Sequence, residues 1–338
     1  MDVFIGEYVC GGGFVSQQVE EIPASLRCEG LAMLVALVED FAQIADRVQV
    51  ALDSRFELPS HSNLRVHPVS AGAPLWPQWI TAAKGCQHAI VVAPETDGVL
   101  AQSVAILQAA GIGMLNGFGD FLRCASNKLE TARTFSAAGV PHPPTWTSDS
   151  IPVENLPAAS RWVVKPRDGC GTENITVHQT FQEAIDIAHK TPNLIQPWIE
   201  GRAVSIAAIV GANDITILPA VGQNITAEDT QYKGGFGPLE ESDQRRAASL
   251  ARIAIQSLPR TVRGFIGLDL ILGHNPLDDC VIEINPRVTT SYVGLREIVE
   301  GNLAARILGI DRSPVRCVVD ACQVHWLPSG ETWINNPK

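Results

Sequence analysis

Two short stretches place side chains of matching chemistry at strand spacing. Residues 265–270 read F-I-G-L-D-L and residues 281–287 read V-I-E-I-N-P-R. Asp269 interrupts an otherwise apolar strand, and Glu283 and Asn285, two apart, point to one face of the next. Two carboxylates and an amide oxygen converging from paired strands make a hard-oxygen set suited to Mg²⁺, an ion that keeps waters and shares nucleotide phosphates. Arg287, just beyond, is placed to hold a transferring phosphoryl group. The competing reading is three polar residues on a solvated strand face. The apolar company of Ile266, Leu268, Leu270, Ile282 and Ile284 argues against it.

A third stretch, W-V-V-K-P-R-D-G-C-G-T-E-N-I at residues 162–175, delivers Lys165 from an apolar strand into a glycine-bearing loop that opens another strand. Glycines let backbone N–H groups turn toward an anion, and the lysine adds a point charge. No G-K-[ST] follows, so this is not a Walker A loop; a plain glycine hairpin is the alternative. Lys128 opens a helix after Ser126 and Asn127, where its charge opposes the helix dipole unless an anion lies near. Taken alone, Lys128 also reads as a solvated surface lysine. Cys170, inside the glycine-bearing loop, is the one thiol expected near a ligand.

The elements that must hold these residues change character along the chain. Strand signals at residues 3–9, 48–52, 64–69 and 89–93 alternate with helical patterns at 26–45, 77–84 and 99–110. That alternation predicts a largely parallel sheet with both faces covered, and ligands at the carboxyl ends of its strands. Glu7, Tyr8, the glycines at 11–13 and the segment A-P-E-T-D-G at 93–98, with Glu95 and Asp97, fall on that edge. A helix over 127–138 closes at Gly139, and Pro141, Pro143 and Pro144 force an extended connection. Beyond residue 162, strands crowd together at 162–166, 175–178, 194–197, 204–210 and 215–220 with one helix at 181–189, the pattern of an α+β unit. A helix over 242–257, strands at 264–272 and 280–285, and one continuous helix over 294–308 complete the chain. The tail after Gly309 offers only Trp326 and Trp333, expected to pack back on the body.

Composition bounds the function. With 25 Lys+Arg against 36 Asp+Glu among 338 residues the formal charge is −11, which disfavours both sequence-independent nucleic-acid binding and anionic membrane surfaces. Apolar runs such as residues 31–38 fall far short of a membrane span of about 20 residues. The opening residues lack a basic n-region and read as a first strand, so a cytoplasmic location is expected. Eight scattered cysteines, without a C-x-x-C pair, read as reduced thiols. Only six of the 25 basic residues are lysines, and Lys128, Lys165 and Lys233 are three of them.

In order along the chain, the helix-start lysine, the V-V-K-P strand, the glycine-bearing loop, the strand ending Q-P-W-I-E-G, the strand Asp and E-x-N-P-R resemble the ATP-grasp superfamily over about residues 120–300. The resemblance implies an ATP-grasp fold, α/β plus α+β, behind an N-terminal Rossmann-like parallel-sheet (pre-ATP-grasp) domain. Its implied boundaries are 1–117 for that domain, 118–192 for the small subdomain, 193–311 for the large subdomain and 312–338 for a packed tail.

Carried onto this sequence, Lys128 and Lys165 would meet the nucleotide, and residues Asp168, Gly169, Cys170, Gly171 and Thr172 would cover its phosphates. Gln196, Trp198 and Ile199 would hold adenine at the hinge, and Arg287 would steady the γ-phosphate. Asp269, Glu283 and Asn285 would bind one or two Mg²⁺, with Mn²⁺ as a substitute. Lys233, in Q-Y-K-G-G-F-G at 231–237, would ride a mobile loop over the phosphates, a solvated loop lysine being the alternative. Many relatives carry a ribose-binding acid where this chain has Ala203, leaving Glu200 as the substitute.

The implied reaction is carboxylate–amine ligation through an acyl phosphate. G-E-Y-V-C-G-G-G and A-P-E-T-D-G are similar to a carboligase group that includes the tyramine–glutamate ligase of methanofuran-type cofactor biosynthesis. Glu7, Tyr8, Glu95 and Asp97 would then face the amine, while Thr289, Thr290, Ser291, Tyr292 and Arg296 would hold a substrate carboxylate. Partners would be small molecules, with homodimerisation open. A dipeptide-type or carboxylating ATP-grasp enzyme and a non-catalytic ATP-binding module are the alternatives.

Overall fold

A computed structural model describes residues 1–151, 156–169, 174–190, 193–225, 230–318 and 323–335. Among these residues the strands form three sheets. The first is parallel and comprises β1 (Asp2–Glu7), β2 (Arg47–Asp53), β3 (Leu64–Val69), β4 (His88–Val92) and β5 (Gly113–Met114). Successive side chains of a strand face opposite ways, so Phe4 enters one core while Val3 and Ile5 enter the other. Burial on both faces explains the unbroken apolar run. Helices α1 (Ala24–Ala42), α2 (Leu75–Ala82) and α3 (Val99–Ala109) cover the sheet.

The strand order β3-β2-β1-β4-β5 reverses between β1 and β4. The crevice at such a switch point lies beyond the carboxyl ends of those two strands, which end at Glu7 and just before residues 93–98. Where the glycine run follows β1, Gly12 takes φ +100°, and a Cβ there would lie 2.5 Å from Val69. The indole N–H of buried Trp79 donates to the Gly11 carbonyl at 2.8 Å, so these glycines serve close packing beside the crevice.

After α4 (Asp120–Ala125), a short helix without a sequence signal, α5 (Lys128–Ala138) begins at a cap: Asn127 Oδ1 accepts from the N–H groups of Leu129 and Glu130. Gly139 ends α5 in the left-handed conformation, as the sequence predicts. The second sheet pairs β6 (Trp146–Thr147), β7 (Trp162–Pro166), β8 (Thr176–His178) and β9 (Asn193–Pro197) antiparallel in the order β6-β9-β7-β8, with α6 (Phe181–Ala188) packed on it.

The third sheet holds β10 (Arg202–Val210), β11 (Ile215–Ile217), β12 (Val221–Ile225), β13 (Tyr232–Gly237), β14 (Gly264–Leu272), β15 (Cys280–Asn285), β16 (Gln323–Trp326) and β17 (Thr332–Asn335). Its order is β15-β14-β10-β12-β13-β16-β17, with β11 on β10. Helix α7 (Glu241–Ser257) lies between β13 and β14 in the chain; α8 (Ser291–Ile298) and α9 (Leu303–Ile307) follow β15.

Three expectations change here. Residues 232–237, expected in a loop, form strand β13 of a sheet. Its partners, β12 and β16, come from elsewhere in the chain, and at Gly234 (φ +115°) a Cβ would lie 2.0 Å from the Trp326 carbonyl oxygen. The helix expected over 294–308 breaks into two: Val299 is extended, and the Asn302 side chain caps a new start. The tail contributes two sheet strands; Trp326 is buried, while Trp333 is partly exposed and stacks on His325.

Candidate active site

Antiparallel register sets Asp269 directly across from Glu283, with Asn285 opposite Gly267. Asn285 donates to one Asp269 carboxylate oxygen at 2.9 Å and Gln223, from β12, donates to the other at 2.7 Å. Gln223 is a site residue that sequence reasoning missed, because its strand carries no β signal of its own. Burial, reinforced by the charge of Glu283, pushes the Asp269 carboxyl up to about 6 against the hydrogen bonds of Asn285 and Gln223. Among the described residues no three His, Cys, Asp or Glu side chains gather as a metal cluster. The donor set is therefore two carboxylates and one amide. A desolvated, mutually repelling carboxylate pair with a hard amide neighbour fits a divalent cation such as Mg²⁺.

Both lysines close on this set. Lys128 Nζ lies 3.0 Å from Glu283 Oε1 and donates to the Gly169 carbonyl at 2.9 Å, tying the start of α5 to β15 and to the loop after β7. Lys165 is buried in β7. Burial pushes its ammonium down to about 8; Glu283 and Asp269 oppose that shift, and Lys128 adds to it. Two cations and two carboxylates from four elements thus form one charged cluster. Asp168 and Gly169 border it, Asp168 accepting from the Asp97 N–H at 3.2 Å. Cys170, Gly171 and Thr172 lie outside the described residues.

At the hinge, Gln196 is buried in β9 with its amide donating to Thr145, and the Arg161 guanidinium lies 4.3 Å over the Trp198 ring. Ile199 follows, partly buried. Glu200 is exposed and held by Ser160 and Arg161, which lowers its pKa. The space lined by Lys128, Gln196, Glu283 and Ile284 amounts to about 20 Å³ in this conformation, room for one water. A larger cleft of about 380 Å³ opens between Glu95, Arg123, Ser126, Arg167 and Asp168.

The crevice of the first sheet meets the same cluster. Arg287, buried at the end of β15, pairs through Nε and Nη2 with Glu95, at 2.9 and 3.4 Å. Glu95, expected to face the amine, is thus a partner of the arginine in this structure. Glu7 is buried, accepts from the Cys10 N–H at 2.6 Å, and is pushed up to about 7 by burial against those hydrogen bonds and the charge of Arg287. Tyr8 and exposed Asp97 remain at the surface of the crevice; Asp97 is close enough to raise the Tyr8 hydroxyl, after burial.

Two expected substrate residues are placed otherwise. Arg296 clamps α8 to α1, holding Asp40 at 2.8 and 3.0 Å and Glu39 at 2.5 Å, because buried Asp40 needs a counter-charge. Tyr292 donates to that same Asp40 from the core. Ser291 is buried and hydrogen-bonds Thr289, whose side chain packs against Gly267. Lys233 is exposed on β13.

Models of two domains match this chain, an ATP-grasp domain over residues 125–291 and a pre-ATP-grasp domain over 47–118. The chain belongs to the ATP-grasp family. Ligases are among the proteins it resembles. The sequence is 22% identical over 294 residues to a tyramine–L-glutamate ligase of Methanocaldococcus fervens, covering 86% of this chain and 88% of that protein. An ATP-grasp superfamily protein from Archaeoglobus fulgidus shares the fold with a TM-score of 0.70 at 20% identity, over 96% of this chain and 92% of that one. An L-amino acid ligase from Bacillus licheniformis does so with a TM-score of 0.67 at 14% identity, over 96% and 78%. Among the described residues no helix is long and apolar enough to cross a membrane.

Proposed function

We propose that this ATP-grasp protein is a Mg²⁺-dependent ligase that activates a carboxylate as an acyl phosphate and joins it to an amine. The side-chain carboxylate of glutamate and an aromatic amine such as tyramine are the substrates that fit best. The observation that carries this reading is the single cluster of Lys128, Lys165, Asp269, Glu283 and Asn285 with Arg287 beside it, at the mouth of the first sheet's crevice.

In this reading Asp269, Glu283 and Asn285 hold the metal, which supplies charge neutralisation to the phosphates. Lys128 and Lys165 bind the phosphate chain, and Gln196, Trp198 and Ile199 border the base. Arg287 orients the γ-phosphoryl group. A substrate carboxylate oxygen attacks that phosphorus while the bond to the bridging oxygen of ADP breaks; the ammonium group gives up a proton to solvent, its neutral nitrogen attacks the acyl carbon, phosphate leaves with the C–O electron pair, and the nitrogen loses its second proton to give the amide. Positioning and charge neutralisation account for most of the acceleration.

The crevice favours an aromatic cation. Tyr8 packs edge-on against Phe14 at 5.6 Å and beside Trp76 at 6.2 Å, with the carboxylate of Asp97 near by. An aromatic wall beside an acid suits an arylalkyl ammonium group. Trp76→Ala and Asp97→Asn should each raise the KM for tyramine by roughly tenfold, about the value of one aromatic or exposed ionic contact, with the KM for ATP unchanged. An unchanged amine KM in both variants would move the acceptor pocket elsewhere.

The reaction itself is tested by ADP release from Mg·ATP across a panel of acids and amines that includes glutamate, tyramine, amino-acid pairs and bicarbonate. Release should require both an acid and an amine and be fastest with glutamate and tyramine. Release with amino-acid pairs or bicarbonate instead would replace the substrates; silence with ATP still bound would leave a nucleotide-binding module.

A further inference from the structure

The ion pair between Glu95 and Arg287 joins residues 192 positions apart, and both side chains are buried, 4% and 8% exposed. It connects the two matched regions, since Glu95 follows β4 in one and Arg287 follows β15 in the other. The loop that presents Glu95 is itself fixed. Its carbonyl accepts from the Gly98 N–H at 3.1 Å, the Pro94 carbonyl accepts from Leu100 at 3.1 Å, and Asp97 donates to Asp168 at 3.2 Å. At the other end the Arg287 Nη1 donates to the Val288 carbonyl at 3.2 Å. A guanidinium gripped along its Nε–Nη2 edge by a rigid carboxylate has its plane set, because the fork geometry allows one orientation.

We propose that Glu95 is a positioning residue: it aims the Arg287 guanidinium at the γ-phosphate, so that the N-terminal sheet's crevice and the phosphate site are assembled by one buried ion pair. The role rests on the proposed contact between Arg287 and the γ-phosphate. It differs from an amine-holding acid, which would act on the acceptor and leave the nucleotide untouched. It also differs from a purely structural pair, which would affect ATP and ADP alike.

The test is equilibrium binding of Mg·ADP and of the Mg²⁺ complex of the β,γ-imido analogue of ATP to the full chain, read as the ratio of the two affinities. The wild-type chain should prefer the analogue. Glu95→Gln should cut that preference about tenfold, the scale of one charge-assisted contact, while ADP affinity stays within about twofold. Glu95→Asp, which keeps the charge but shortens the reach, should lie between, and it supplies the answer if the Gln variant does not fold. The double variant Glu95→Gln/Arg287→Lys should lose no more preference than Arg287→Lys alone, because both act through one guanidinium.

An unchanged preference in Glu95→Gln or Glu95→Asp, additive losses in the double variant, an equal loss for both nucleotides, or no preference in the wild type would each overturn the role. Silence in the ligase panel would overturn the substrates and leave this binding readout intact, so the two failures are distinguishable.

Discussion

Glu283→Gln is expected to reduce Mg·ATP-dependent turnover by roughly 1,000-fold, about 4 kcal/mol of transition-state stabilisation, while nucleotide binding is kept in part. The substitution preserves shape and removes one of the two facing carboxylates. It also removes the partner that Lys128 holds at 3.0 Å, freeing that lysine for the phosphates, which is why binding should survive better than chemistry. Steady-state ADP release with saturating substrates, beside nucleotide titration of the same variant, separates the two effects. Raising Mg²⁺ or replacing it by Mn²⁺ should recover only part of the loss, since Asp269 and Asn285 alone make a poorer set. Unchanged turnover would remove Glu283 from the metal site. Because Asp269 sits near 6, metal-dependent binding of the nucleotide should also fade as the pH drops below about 6, where the proton competes for that carboxylate.

Lys165→Met is expected to weaken ATP binding by roughly 100-fold, near the upper end for one charged hydrogen-bonded contact. Met keeps the stem volume in buried β7 and removes the ammonium. The wild-type protein supplies a second signature. The Lys165 value of about 8 lies below the ordinary 10.5, so the ammonium is charged below pH 8 and lost above it. A polyanion favours the charged form, and ATP affinity should therefore fall as the pH rises through 8. The Met variant should lack that step. The same shift acts on folding with the opposite sense: between about 8 and 10.5 the unfolded chain binds the extra proton, so the cost of burying Lys165 fades as the pH rises. A pH profile for ATP binding that is identical in the two proteins would place Lys165 outside the nucleotide site.

Much of this molecule follows from local rules. Period-2 and period-3.6 patterns and turn residues, read with the family resemblance, predict the parallel first sheet and the later antiparallel strands, and β7, β9, β10, β14 and β15 lie close to where they are expected. The meeting of Asp269, Glu283 and Asn285 was legible because a polar residue in an apolar strand, and two polar residues two apart in the next, express themselves within a few positions. Lys165 was legible for the same reason, as a charge at the end of an apolar strand, and Lys128 gained its meaning from the order of motifs along the chain.

What stayed hidden depends on long-range pairing. β13 is a strand only because β12 and β16 flank it and a glycine lets Trp326 approach, and Gln223 reaches Asp269 only through that sheet. Arg296 looked like a substrate ligand until α1 brought Asp40 against it. The pairing of Glu95 with Arg287, 192 residues away, has no local signal. The sequence by itself determined which chemistry was present: hard-oxygen donors, two placed lysines and an arginine after a strand. Only the tertiary structure decided which charges neutralise one another, because a buried charge must find its partner across the fold and neither spacing nor propensity encodes that choice.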